Sequence, residues 1–264
     1  MIKVNGFVVK PTIFPDGTSQ IWKLPPGLLE NKIVTITWYF EAEREMLDIW
    51  SIRALFPSVS SIALHMPYMP YARQDKPIDN NLTFSLYVFA SLINSLSFNL
   101  VSTVDVHNPR ETKKLIKNFV SYDVLTIQQN LVGLIQPDCI VYPDAGAYER
   151  YTAVSLGKKK ITYNKYRHGG TGAINHHEIE VASLGIVNSL PKEGPKFLII
   201  DDICDGGATF ISIANDLNAR FINPEISLFV THGIFSKGLK PLADVGIKAY
   251  TTNSLLKNVE GFNV

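Results

Sequence analysis

The chain has 264 residues, is 46% hydrophobic, and carries 25 Lys and Arg against 24 Asp and Glu, for a formal charge of +1. That length and apolar content suffice for one large buried core or two smaller ones. The near-neutral charge excludes a whole-molecule field for a nucleic-acid polymer or an anionic membrane, so any basic site is local. No apolar run nears the roughly 18 residues that span a bilayer, and the first ten residues lack a signal-peptide core. Cys139 and Cys204 lie far apart among apolar neighbours, unlike a disulfide framework or a zinc site. The expectation is a soluble cytoplasmic protein with reduced thiols.

In chain order, Val4, Phe7 and Val9 flank Asn5-Gly6, a hairpin signal, and Pro15-Asp16-Gly17 reads as a tight turn. Residues 33–40 are β-branched and aromatic, a strand composition. Residues 41–55 suit a helix with an acidic first turn. Strands and helices then alternate: strand 62–66, helix 82–96, strand 100–106, helix 109–119 with proline in its first turn, strand 139–142, helix 147–156, strand 197–200, helix 209–217, and strands 226–230 and 248–251. Such alternation predicts an α/β fold of mostly parallel sheets flanked by helices. Gln136-Pro137-Asp138 interrupts the pattern. It suggests two α/β halves, 1–137 and 138–264.

Ligands of open α/β sheets bind beyond the carboxyl ends of the strands, and five strands here are followed by polar or glycine groups. Residues 67–76 include Arg73, Gln74, Asp75 and Lys76. Asp105 and His107 follow the strand at 100, and Asp144 follows 139–142. Asp201-Asp202 and Asp205-Gly206-Gly207-Ala208-Thr209 follow 197–200, and Thr231-His232-Gly233 follows 226–230. A lone aspartate at such a point is often a helix cap, but five strands in succession make a site.

The segment 199–209 is the strongest signal. An apolar strand ends in two carboxylates, and a glycine-rich turn opens a helix whose backbone N–H groups suit an anion. The carboxylates suit ribose hydroxyls instead, so the pair of features calls for a phosphorylated ribose. Asp144 and His107 are the candidate metal positions, with Mg²⁺ in view because it prefers oxygen ligands and keeps waters. Arg73 can grip phosphate oxygens in bidentate fashion. Lys165 and Arg167 precede Gly169-Gly170 in a polar stretch with a lid-like composition, and His176-His177 reads as part of that loop region.

At these residues the chain resembles the ribose-phosphate pyrophosphokinases. The matching stretches are FPDG at 14–17, PYMPYARQDK at 67–76, VDVH at 104–107, PDAG at 143–146, K-Y-R at 165–167, IDDICDGGAT at 200–209 and THGIFS at 231–236. The resemblance implies two phosphoribosyltransferase-like halves, assembly into a homo-oligomer between dimer and hexamer, and the partners MgATP and a ribose phosphate. It implies that Arg73, Gln74 and Asp75 bind ATP, with His107 and Asp144 at the metal–nucleotide site. Phe14 and Asp16 would reach the adenine of a neighbouring subunit's ATP. Lys165 and Arg167 would be catalytic, on a flexible loop. Asp201 and Asp202 would bind ribose hydroxyls, and residues 205–209 the 5-phosphate. All these stretches are expected to converge on one cleft.

Departures from the family pattern accompany it. The phosphate turn usually reads D-T-A-G-T, so one hydroxyl is missing here. Thr18 replaces an acidic residue, Ala147 replaces a glycine, and residues 77–81 lack the usual pattern, which counts against phosphate or ADP control. The reaction so implied passes pyrophosphate from ATP to the 1-hydroxyl of ribose 5-phosphate. Alternatives are the same transfer to a substituted acceptor such as ADP-ribose, a phosphoribosyltransferase, or a non-catalytic regulatory homologue.

Overall fold

The computed structural model describes residues 1–77, 83–167 and 174–255, at 165–167 and 174–177 for the backbone alone. The chain divides into two compact units, Met1–Asp123 and Val124–Val264.

In the first unit, β1 (Ile2–Val4) and β2 (Phe7–Val9) form a hairpin through Asn5 and Gly6, both at positive φ. A small hairpin of β3 (Thr12–Ile13) and β4 (Ser19–Gln20) follows. Then come β5 (Ile33–Trp38), α1 (Glu45–Ala54), β6 (Ser61–Met66), α2 (Ser85–Ser95), β7 (Leu100–Val104), α3 (Pro109–Leu115) and β8 (Phe119–Tyr122). The sheet order is β2-β1-β5-β6-β7-β8, with β5 to β8 parallel and the first hairpin antiparallel at one edge. Its core includes Ile36, Trp38, Ile52, Leu64, Met66 and Phe89. The Trp38 indole N–H donates to Glu45 Oε2 at 2.8 Å. Burial alone would raise the Glu45 carboxyl, but this donor and the Glu41 amide bring it below the usual range.

In the second unit, α4 (Leu125–Ile135) precedes β9 (Cys139–Tyr142), α5 (Ala145–Tyr151), β10 (Lys159–Arg167), β11 (Ile174–Ile179) and α6 (Leu184–Asn188). After these come β12 (Lys196–Cys204), α7 (Ala208–Arg220), β13 (Glu225–Gly233), α8 (Lys240–Ala243) and β14 (Ile247–Thr251). The order is β11-β10-β9-β12-β13-β14, all parallel except β11. Each unit is thus an α/β layer; in the second, β9 and residues 197–200 of β12 are unbroken apolar runs buried on both faces, whereas in the first β5 and β6 alternate between more and less buried residues. Residues 197–200 at the sheet centre are fully buried.

Several elements differ from the sequence expectation. The helix from Pro109 ends at Leu115 rather than 119: Asn118, at φ 55, turns the chain into β8 beside β7. The helix expected from 147 begins at Ala145, because Asp144 caps it. The break at Gln136-Pro137-Asp138 follows α4, inside the second unit. β12 runs on to Cys204 and β13 to Gly233, since each continues to pair with the other: Asp201 opposite Val230, Ile203 opposite His232. So Asp201, Asp202 and Thr231-His232-Gly233 lie within strands instead of beyond them. Residues 165–167 close β10, and His176-His177 lie in β11 rather than in a loop. The start of the helix expected at 82, the segment 78–81 and residues 168–173 lie outside the described residues.

Candidate active site

In the second unit the site grows from two adjacent parallel strands. β9 leads through Pro143 into Asp144, whose side chain accepts from the Ala147 amide at 2.9 Å and starts α5. Next to it, β12 carries Asp201 and Asp202 past the point where β9 stops, because β13 supports its other side. The Asp202 amide donates to Asp201 Oδ1 at 2.9 Å. Asp202 itself is 4% exposed and paired with Arg150 of α5 at 3.1 Å. Burial pushes the Asp201 carboxyl up, and the negative charges of Asp202 and Asp144 push it further. Asp144, Asp201, Asp202 and Arg150 therefore share the carboxyl end of the central strands, a set rich in acceptors for hydroxyl groups and in oxygen ligands for a divalent cation.

The chain then turns through Asp205, Gly206 and Gly207 into α7. Gly207 is the cap residue at φ 79, with no side-chain cap bond. A β-carbon there would come within 3.0 Å of Leu242 Cδ2, so this turn requires glycine for both conformation and space. The cap position of α7 is thus Gly207 rather than Asp205, and a glycine turn opening a helix brings backbone N–H groups to a point suited to phosphate oxygens. Thr209 lies in the first turn, partly exposed.

His232 departs from the expected delivery of an imidazole to the site. It is buried, 2.8 Å from Ser254 Oγ. Cys204 is buried, its thiol pushed up to about 12 by burial and by Asp205 and Asp201; it is no nucleophile at neutral pH. Cys139 is likewise buried and raised to about 12, and both are free thiols.

In the first unit, two loops meet. Residues 67–76 follow β6, and Tyr71 at φ 63 turns the chain so that the Gln74 amide donates to the Tyr71 carbonyl at 2.9 Å. Asn108 follows β7, caps α3 by accepting from the Glu111 amide at 3.1 Å, and donates its side-chain N–H to Asp75 Oδ2 at 2.6 Å. That bond ties the Arg73-Gln74-Asp75 segment to the loop holding His107. Arg73, Gln74 and His107 are exposed. Phe14 and Asp16 form the exposed turn of the small hairpin. The Asp16 carboxylate accepts from the Thr18 hydroxyl at 2.7 Å and amide at 3.0 Å, which holds its carboxyl below the usual range. The Phe14 ring sits 6.4 Å from that of Trp22.

Among the described residues, no group of three or more His, Cys, Asp or Glu is arranged to hold a metal ion. Mg²⁺ needs less, taking one or two carboxylates with waters and phosphate oxygens. The crowded Asp144 and Asp201 fit that demand. Two functional positions escaped sequence reasoning. Arg150 pairs with a residue 52 positions on, so only the fold reveals it. Asn108 carried a legible signal as a cap before Pro109, but its bond to Asp75 did not.

No protein-family model matches the chain. It is 25% identical over 233 residues to the ribose-phosphate pyrophosphokinase of Pyrococcus abyssi, covering 85% of this chain and 76% of that one. It is 25% identical over 268 residues to that of Mycoplasmopsis pulmonis, covering 96% and 78%. The fold matches the phosphoribosylpyrophosphate synthetase of Mycobacterium smegmatis with a TM-score of 0.76 and 18% identity, over 97% of this chain and 84% of that one. These likenesses support kinship with the ribose-phosphate pyrophosphokinases at low identity, and with it pyrophosphoryl-transfer chemistry at the level of the family.

Proposed function

We propose that the chain is a ribose-phosphate pyrophosphokinase, transferring the β,γ-pyrophosphoryl group of ATP to the 1-hydroxyl of ribose 5-phosphate. The observation that carries this reading is β12, which bears two carboxylates and runs into a glycine turn at the start of α7. Phosphate and ribose hydroxyls are the two chemistries that such a strand end accepts together.

In the proposed reaction a bond forms between the ribose 1-oxygen and the β-phosphorus, the bond from that phosphorus to the α,β-bridging oxygen breaks, and AMP leaves. The hydroxyl proton passes to solvent. Asp201 and Asp202 would accept from the ribose hydroxyls, with Arg150 holding Asp202 in place. Residues 205–209 would hold the 5-phosphate. Arg73, Gln74 and Asp75, braced by Asn108, would bind ATP together with His107, and Phe14 and Asp16 would serve the adenine of a neighbouring subunit in a homo-oligomer. Asp144 and Asp201 would hold Mg²⁺; when bound, the ion neutralises charge on the triphosphate. Lys165 and Arg167, at the end of β10, would stabilise the charge that builds on the transferred group. Such positioning and charge neutralisation account for most of phosphoryl-transfer catalysis.

The deciding measurement is AMP release from MgATP against a panel of ribose phosphates. Ribose 5-phosphate is expected to give the largest kcat/KM. AMP release with ADP-ribose but not ribose 5-phosphate would move the assignment to the substituted acceptor, a reading favoured by the missing side-chain hydroxyl at Gly206. No AMP release with any acceptor would leave a phosphoribosyltransferase or a non-catalytic role.

A further inference from the structure

We infer that Lys237 is a further phosphate ligand of the acceptor site, placing its ammonium at the 205–209 turn to bind the dianionic end of the sugar phosphate. This rests on the reading of that turn given above.

The placement follows from how the chain leaves β13. The Phe235 ring is buried and occupies the space that a β-carbon at Gly233 would need. Phe235 has φ 45, and the loop folds back over the end of β12. The amides of Ile234 and Phe235 donate to the Cys204 carbonyl at 2.9 and 3.1 Å, and the Ser236 amide donates to the Asp205 carbonyl at 3.2 Å. Three consecutive bonds thus fasten the loop to the turn and carry Lys237 across Gly206. Its Cε, Cδ and Cγ lie 3.4, 3.5 and 3.8 Å from where a β-carbon at 206 would stand. The stem lies along the bare backbone of the glycine, and the ammonium is one bond beyond Cε. Among the described residues no carboxylate pairs with it.

The charge balance calls for such a group. Asp201, Asp202, Asp205 and Asp144 surround this end of the sheet, and the arginine among them, Arg150, is engaged by Asp202. A sugar phosphate entering there is itself dianionic. Backbone N–H groups and one hydroxyl, that of Thr209, make a weak counterweight, whereas a charge-assisted bond is roughly twice as strong as a neutral one. Gly206 and Lys237 therefore form a linked pair: the glycine removes a possible hydroxyl ligand and makes room for a cation from the next strand.

The test is calorimetric binding of ribose 5-phosphate, and of ribose as the control lacking phosphate, to the full chain without ATP. It compares the natural chain with Lys237→Met, which keeps the apolar stem, and Lys237→Arg. Lys237→Met is expected to weaken ribose 5-phosphate binding about tenfold or more, to leave ribose binding unchanged, and to raise KM for the sugar phosphate by the same factor. Lys237→Arg is expected to recover most of the affinity. Equal affinity in the natural chain and Lys237→Met, or equal loss of ribose and ribose 5-phosphate, would overturn the role of Lys237. If AMP release from the natural chain persisted in that case, the proposed function would stand without it. Absence of any ribose 5-phosphate binding by the natural chain would remove both.

Discussion

The two units use the same kind of sheet but hold their polar groups differently. In the second, Asp201 and Asp202 lie inside β12, a strand paired with β9 on one side and β13 on the other. In the first, Arg73, Gln74, Asp75 and His107 lie on loops after β6 and β7, and one side-chain bond from Asn108 to Asp75 ties those loops together. A group on a strand extension paired with β13 is positioned by the sheet, and its difficulty is charge: Asp202 needs Arg150. A group on a loop has solvent to screen its charge, and its difficulty is position. Disturbing the second unit should therefore cost stability and affinity together, whereas disturbing the first should cost mainly affinity.

The largest effect concerns neither set directly. Lys165→Ala is expected to lower kcat about 10³-fold, some 4 kcal/mol of barrier, while ATP binding persists; AMP release and nucleotide titration check it, and near-normal turnover would remove Lys165 from the chemistry. Next comes Arg150→Met, which leaves Asp202 buried without its partner. Urea unfolding should show a loss of about 2–3 kcal/mol, discounted from the value for a fully buried pair because Arg150 is partly exposed, and Asp202→Asn in the same chain should recover part of it. Gly207→Ala forces an L-residue to φ 79 against Leu242. A loss of about 1–2 kcal/mol is expected, together with weaker ribose 5-phosphate binding. Asn108→Ala should cost stability only about 1 kcal/mol, through the lost cap, yet raise KM for ATP. If its KM for ATP were unchanged, the contrast between strand-held and loop-held groups would fail.

Much of this was legible beforehand. The parallel strands announced themselves as apolar runs, the hairpin as Asn5-Gly6, and the phosphate turn as Asp205-Gly206-Gly207. What escaped depends on neighbours. Residues 201–204 look like the end of a strand, because two aspartates interrupt the apolar run, but backbone pairing with β13 continues regardless of side-chain polarity. β8 was hidden behind a helix-like stretch that ends at Leu115, where Ile116 turns extended and Asn118 then takes a left-handed turn into the strand. His232 read as a site residue and proved to be a core residue bonded to Ser254.

By itself, the amino-acid order determined the alternating architecture and the types of group at the strand ends, since both follow from local periodicity and turn chemistry. Tertiary structure decided which of those groups are paired, buried or turned towards the turn at 205–209. Arg150 with Asp202, Asn108 with Asp75 and Lys237 over Gly206 join residues dozens of positions apart, and separation in sequence carries no record of which distant partner a side chain meets once the strands are laid side by side.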